Sequence, residues 1–213
     1  MKKETILQIL IVVIGVFALT INFMLFKDWR GLFYYTILSN IYVTGFYFVT
    51  LCLKAQNKLV KNDKYYALKG LMLLEILGAM IVYFVAVNED NSIYSGHNFE
   101  CYMVHIVMPV LALIECLFCE EKGYLKYKYL IGWSFSLVIY CLILIGYNNI
   151  FNGKFLNGKT YPYDVMNFEK LGILRGTINC FAVLIAFIII GSLIVLIDNK
   201  MKANRNVGDN NGQ

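Results

Sequence analysis

Histidine is almost missing from this 213-residue chain: it occurs twice, at 97 and 105. That scarcity excludes metal motifs that pair histidines at close spacing, such as His-Glu-x-x-His. Charge is scarce too, with Asp, Glu, Lys and Arg at 15% where a soluble domain carries about 25%. No glycine-rich phosphate loop, internal repeat or long polar segment separates the apolar runs. A soluble enzyme domain, a P-loop nucleotide site and a repeat array are all excluded on these grounds.

What the chain has instead is apolar sequence: 59% hydrophobic residues and a mean hydropathy of +0.62. It is gathered into six runs, 6–26, 31–53, 66–87, 101–119, 129–147 and 173–197. Each is close to the roughly 20 residues a helix needs to cross about 30 Å of hydrocarbon. Lipid excludes open sheet edges, and nothing alternates with the period of a membrane barrel. The expectation is all-α: one integral membrane bundle of six transmembrane helices over 1–198, with a polar tail at 199–213. The first run has a basic start, but its apolar part is too long for a cleaved signal peptide and lacks a small-x-small site.

Six spans put both termini on one side. That side carries twelve Lys and Arg, from Lys2 and Lys3 through Lys54–Lys64 and Lys122–Lys128 to Lys200, Lys202 and Arg205; the other carries six. Positive loops stay inside, so both termini are expected in the cytoplasm, with the chain multi-pass in the cell membrane. The net charge of +5 then marks topology and contact with anionic lipid, not a nucleic-acid surface. The tail "NKMKANRNVGDNNGQ" has the composition of a disordered segment.

The six cysteines fall within or at the ends of spans, where a thiol acts as a small hydrophobe. "CLFC" at 116–119 has redox or metal spacing, yet it lies on an apolar run with no second pair and no nearby histidine. No metal site and no cofactor are expected. The longest connection, 148–172, is too long for a turn and holds Phe155, Tyr161, Tyr163 and Phe168. Such a loop reads either as a lid over the bundle mouth or as an interfacial aromatic belt.

Polar residues inside the runs gather at one depth. Thr36 lies about five residues into the second span and His105 about four into the fourth, roughly 6–8 Å below the outer boundary. Asn22, Tyr83 and the stretch from Arg175 to Asn179 fall in the same layer, with Asn40 one turn below Thr36. Threonine and asparagine in membrane helices often serve packing alone; an interior histidine is a functional candidate by default. Pro109 deprives the carbonyl of His105 of its usual partner and favours a kink there. Glu75 and Glu115 sit deeper, either marking an ion path or bonding across helices as neutral acids. Lys69 stands too near the inner boundary to be an assured partner for either.

The stretches "FYYTILSNIYVTGFYF", "HIVMPVLALIECLF" and "KTYPYDVMNFEKLG", in this order on six runs, resemble the androgen-induced/androgen-dependent tissue-factor-pathway-inhibitor-regulating protein family, and most of all its small six-span prokaryotic branch. That resemblance implies an integral-membrane threonine hydrolase of fatty acid esters of hydroxy fatty acids. It carries the nucleophilic threonine onto Thr36 and the histidine onto His105, and aligns "YPY" at 161–163 with the family's Tyr-Pro motif.

The chemistry suits those residue types: a hydroxyl needs a base, and imidazole can take its proton and later give it to the leaving alcohol. Asn22, Asn40 and Asn179 are oxyanion candidates, and Ser39, Tyr161 and Tyr163 stand with them as substrate-binding candidates. Asp164 is the nearest acid to stand behind His105. The expected partners are membrane lipids and a lipid-ester substrate. The competing reading is a small lipid-binding protein or transporter without hydrolase activity, in which the polar layer only holds a ligand.

Overall fold

The computed structural model describes residues 3–26, 29–84, 98–151 and 160–210. The outer connection 88–97, most of the long loop up to 159 with its Phe155, and the last three residues lie outside that range. Among the described residues the secondary structure is helical, without strands. Six long helical segments follow one another: α1 (Lys3–Phe26), α2 (Tyr35–Ala55), α3 (Asp63–Val82), α4 (98–119), α5 (Tyr129–Phe151) and α6 (Phe168–Asn210). Five of these, all but α4, are long and apolar enough to cross a membrane, which is compatible with a multi-pass membrane protein.

α3 is the hub. Of its apolar window 67% is buried, against 22–44% in the other four, and it packs on α2, α4, α5 and α6. Glycines permit that approach. A Cβ at Gly70 would lie 2.2 Å from the Trp133 ring, and one at Gly78 would lie 2.2 Å from the Phe187 ring. Small residues thus bring α5 and α6 against α3, as they do between membrane helices generally. Outward, the surface is greasy: Val13, Phe17, Phe48, Ile131, Phe135, Leu142, Phe181 and Ile185 are all more than half exposed. A face of that kind is stable only against lipid or a partner.

The helices alternate in direction. Glu4 of α1 meets Lys54 at the end of α2, and Lys61 of the next connection meets Glu120 beyond α4. Asp198 of α6 accepts from the backbone N–H groups of Gly123 and Leu125. Both termini therefore share one end of the bundle. The start of α2 and the 160–167 segment meet at the other.

Two helices depart from the sequence reading. α4 is not a plain α-helix: Met103–Val107 and Glu115–Cys119 are π-helical on either side of Met108–Ile114. The Met108 N–H reaches the Met103 carbonyl, the five-residue spacing of a π-turn, just before Pro109. The proline's missing N–H is thus absorbed by a widened turn. α6 bends at Gly172, whose φ of 75° and ψ of 162° are non-helical, one residue before the expected span begins. At its other end it continues to Asn210, so the polar tail extends the helix, although its composition favours disorder.

Candidate functional site

Thr36 is the second residue of α2, and its neighbourhood follows from how that helix starts. Tyr34 caps the helix without a side-chain acceptor, leaving N–H groups of the first turn to find partners. Tyr163 supplies one from the long loop: its hydroxyl accepts from the Tyr35 N–H at 3.0 Å. The same hydroxyl lies beside Thr36, and burial pushes its pKa up to about 12. Tyr163 also packs edge-on against Tyr34, with ring centroids 6.0 Å apart. The loop residue thus lies over Thr36.

His105 sits in the first π segment, where the widened turn aims side chains off the ordinary helical register. It is buried, and its ring stacks on Tyr83, the residue that follows α3, at 3.9 Å between centroids and 18° between planes. The Cys101 thiol donates to the Tyr83 hydroxyl at 3.2 Å.

Asn40 joins the two elements. Its amide nitrogen donates to the Thr36 carbonyl at 2.8 Å and to the Val104 carbonyl, one residue before His105, at 3.1 Å. α2 and the π segment are therefore pinned together beside both residues. The Asn40 side-chain oxygen is buried and has no hydrogen-bond partner among the described residues.

The other expected donors are engaged with backbone. Ser39 donates to the Thr36 carbonyl at 2.9 Å, Asn22 to Ala18 at 3.0 Å, and Asn179 to Val165 at 3.1 Å. Asn22 bonds within its own helix, so depth in the sequence does not bring it to the others. Asn179 anchors the loop segment onto α6. Tyr161 is buried and packs on Phe168, ring centroids 5.7 Å apart. Asp164 opens a short 3-10 turn, with Lys170 at 3.5 Å.

The sequence reading missed an ion-pair chain at the end that carries the termini. Glu115, fully buried, accepts from Gln8 at 2.6 Å and from Tyr47 at 2.8 Å, and lies 2.7 Å from the Lys69 ammonium. Lys69 is thus a partner after all, because its long side chain reaches back along the bundle. It pairs with Glu120 as well, which in turn meets Lys61 at 2.6 Å. Lys54 and Lys61 meet Glu4 at 2.7 and 3.2 Å. The carboxylates of Glu4, Glu115 and Glu120 lie close enough to hold a cation, their ligand atoms within 4.8 Å of one another. Three lysine ammonium groups already stand among them and match their charge, so the cluster reads as structural. Its signal was visible as Lys69 and Glu115 inside apolar runs.

Glu75 has a different setting. Tyr35 and Ser136 donate to its two oxygens, and all three line a cavity between α2, α3 and α5. Neither this cavity nor the smaller one beside Tyr163 and Cys180 is lined by Thr36 or His105. Compared with known proteins, the chain matches no family model, no curated protein and no solved structure.

Proposed function

We propose that this chain is an integral-membrane lipid-ester hydrolase of the fatty acid ester of hydroxy fatty acid type, with Thr36 as nucleophile and His105 as general acid and base. The observation that carries the reading is the Asn40 amide, which binds the backbone of Thr36 and that of the His105 segment at once. Both termini are cytoplasmic in this reading, and the site faces the outer half of the cell membrane, where a two-armed ester partitions.

Imidazole removes the Thr36 hydroxyl proton as the oxygen attacks the ester carbonyl, and it then protonates the departing alcohol. Water attacks the acyl-threonine with the same histidine as base, releasing the acid and restoring the hydroxyl. The asparagines first considered for the oxyanion already donate to backbone carbonyls. The Tyr163 phenol, beside Thr36, accepts from the Tyr35 N–H and keeps its own proton to give, so it is the better placed donor.

The test is turnover of a long-chain hydroxy fatty acid ester together with fluorophosphonate labelling of purified protein. Thr36→Ala and His105→Ala each abolish both, the double variant is no worse than either, and Thr36→Ser retains activity. Labelling that persists in monodisperse Thr36→Ala places the nucleophile elsewhere. Absence of labelling and turnover in the parent favours ligand binding without catalysis.

A further inference from the structure

Glu75 is buried like Glu115, and its surroundings differ in one respect. Glu115 has an ammonium at 2.7 Å; the hydrogen-bond partners of Glu75 among the described residues are the neutral hydroxyls of Tyr35 and Ser136. A carboxylate enclosed in an apolar bundle is costly unless a cation or a proton satisfies it. Ser136 has one hydroxyl proton and faces two acceptors, Glu75 and the Trp133 carbonyl at 2.7 Å. When that proton goes to Trp133, the carboxyl must carry its own or find another donor.

The space for a donor is present. The cavity at Glu75 measures about 240 Å³, enough for more than isolated waters, each of which takes about 30 Å³ in the liquid. Tyr35, Tyr42 and Tyr140 contribute rings to its wall. Leu38, Ile139 and Ile143 also line it and are exposed on the outside of the bundle, at 38%, 53% and 47%. The opening is therefore sideways and apolar. A carboxylate backed by three electron-rich rings, with an apolar exit, is the chemistry that recognises an alkylammonium group: the carboxylate takes the charge and the rings take the methyl or methylene faces.

We propose that this cavity binds a single-chain amphiphile through a cationic nitrogen, which pairs with Glu75 inside the tyrosine cage while the chain leaves between Leu38 and Ile139. Neither Thr36 nor His105 lines this cavity, although Tyr35 and Ser39 of the same turn do, and absence of amine binding leaves the hydrolase reading untouched.

Equilibrium binding of hexyltrimethylammonium and of hexylammonium to the full-length protein in uncharged detergent tests this, with hexanol as the uncharged control. Both amines bind saturably and hexanol does not. Glu75→Gln weakens the amines about 10- to 100-fold, the range expected on losing one buried charged hydrogen bond. Tighter binding of the quaternary probe assigns the cage the larger share; tighter binding of the primary amine assigns it to the carboxylate, and both keep the proposal. Should Glu75→Gln fail to elute as a monodisperse species, Tyr42→Leu removes one ring and weakens the quaternary amine several-fold. Hexanol binding as well as the amines, no binding by the parent, or unaltered amine affinity in a well-folded variant overturns it.

Discussion

Lys69 and Glu115 lie 2.7 Å apart with side-chain exposures of 2% and 0%, so neither charge can be solvated if the other is removed. Lys69→Met leaves Glu115 with the Gln8 and Tyr47 donors alone, and should destabilise the protein by about 3–5 kcal/mol, the usual cost of stranding a buried charge. Adding Glu115→Gln should recover part of that loss. Thermal unfolding in detergent reads both, and a double variant less stable than Lys69→Met would contradict the pairing.

The outer part of the same chain of ion pairs sets a pH window. Burial alone raises the Glu120 pKa, but Lys69 and Lys61 overcome it and hold the group below its ordinary 4.5. Its contribution is present above that value and is lost as pH falls through the lowered one. For Lys61, burial lowers the pKa, and Glu120 and Glu4 overcome it and raise the group above its ordinary 10.5. That contribution is complete below 10.5 and is lost as pH rises through the raised value. Unfolding temperature should therefore be level from about pH 5 to pH 10 and fall on either side. Glu120→Gln should flatten the acid limb.

Much of this was legible in the sequence, because a helix that crosses lipid must be apolar for its whole length. Four apolar runs coincide with α1, α2, α3 and α5 to within a few residues, and the last begins where Gly172 breaks α6. Counting residues at a fixed rise suggested a common depth, and Asn40 does bridge the Thr36 turn to the His105 segment, where His105 stacks on Tyr83. Counting does not give the direction in which a side chain faces. Asn22 has the right depth and bonds its own helix. Lys69 lay near a boundary, and only the path of its side chain reveals that it reaches Glu115. The π segments were not legible either, because they depend on how α4 accommodates Pro109 between its neighbours.

Orientation is decided by chemistry at two exposed positions. Twelve Lys and Arg on the end that carries both termini, against six on the other, predict that this end is cytoplasmic. On a background without the six native cysteines, Lys58→Cys should be shielded from an impermeant thiol reagent in intact cells, and Lys170→Cys should react. The reverse pattern would put the Thr36 layer on the cytoplasmic side.

Tyr163 separates the structural from the chemical role of the long loop. Its hydroxyl accepts from the first N–H of α2 and contacts Thr36, while its ring packs on Tyr34. Tyr163→Phe keeps the ring and removes the oxygen, so the loop stays seated and α2 loses one acceptor at its start. Stability should fall by about 0.5–2 kcal/mol, the scale of a lost helix cap. If the phenol donates to the oxyanion, kcat for the ester should fall about 100-fold or more with KM little changed, since the interaction forms only in the transition state. Tyr161→Ala removes a ring packed on Phe168 and leaves that hydroxyl in place. A lid that holds the substrate predicts a raised KM for long-chain esters in this variant and little change for a short acetyl ester. Equal kinetics in Tyr163→Phe and the parent would limit the phenol to capping α2 and remove it as the oxyanion donor.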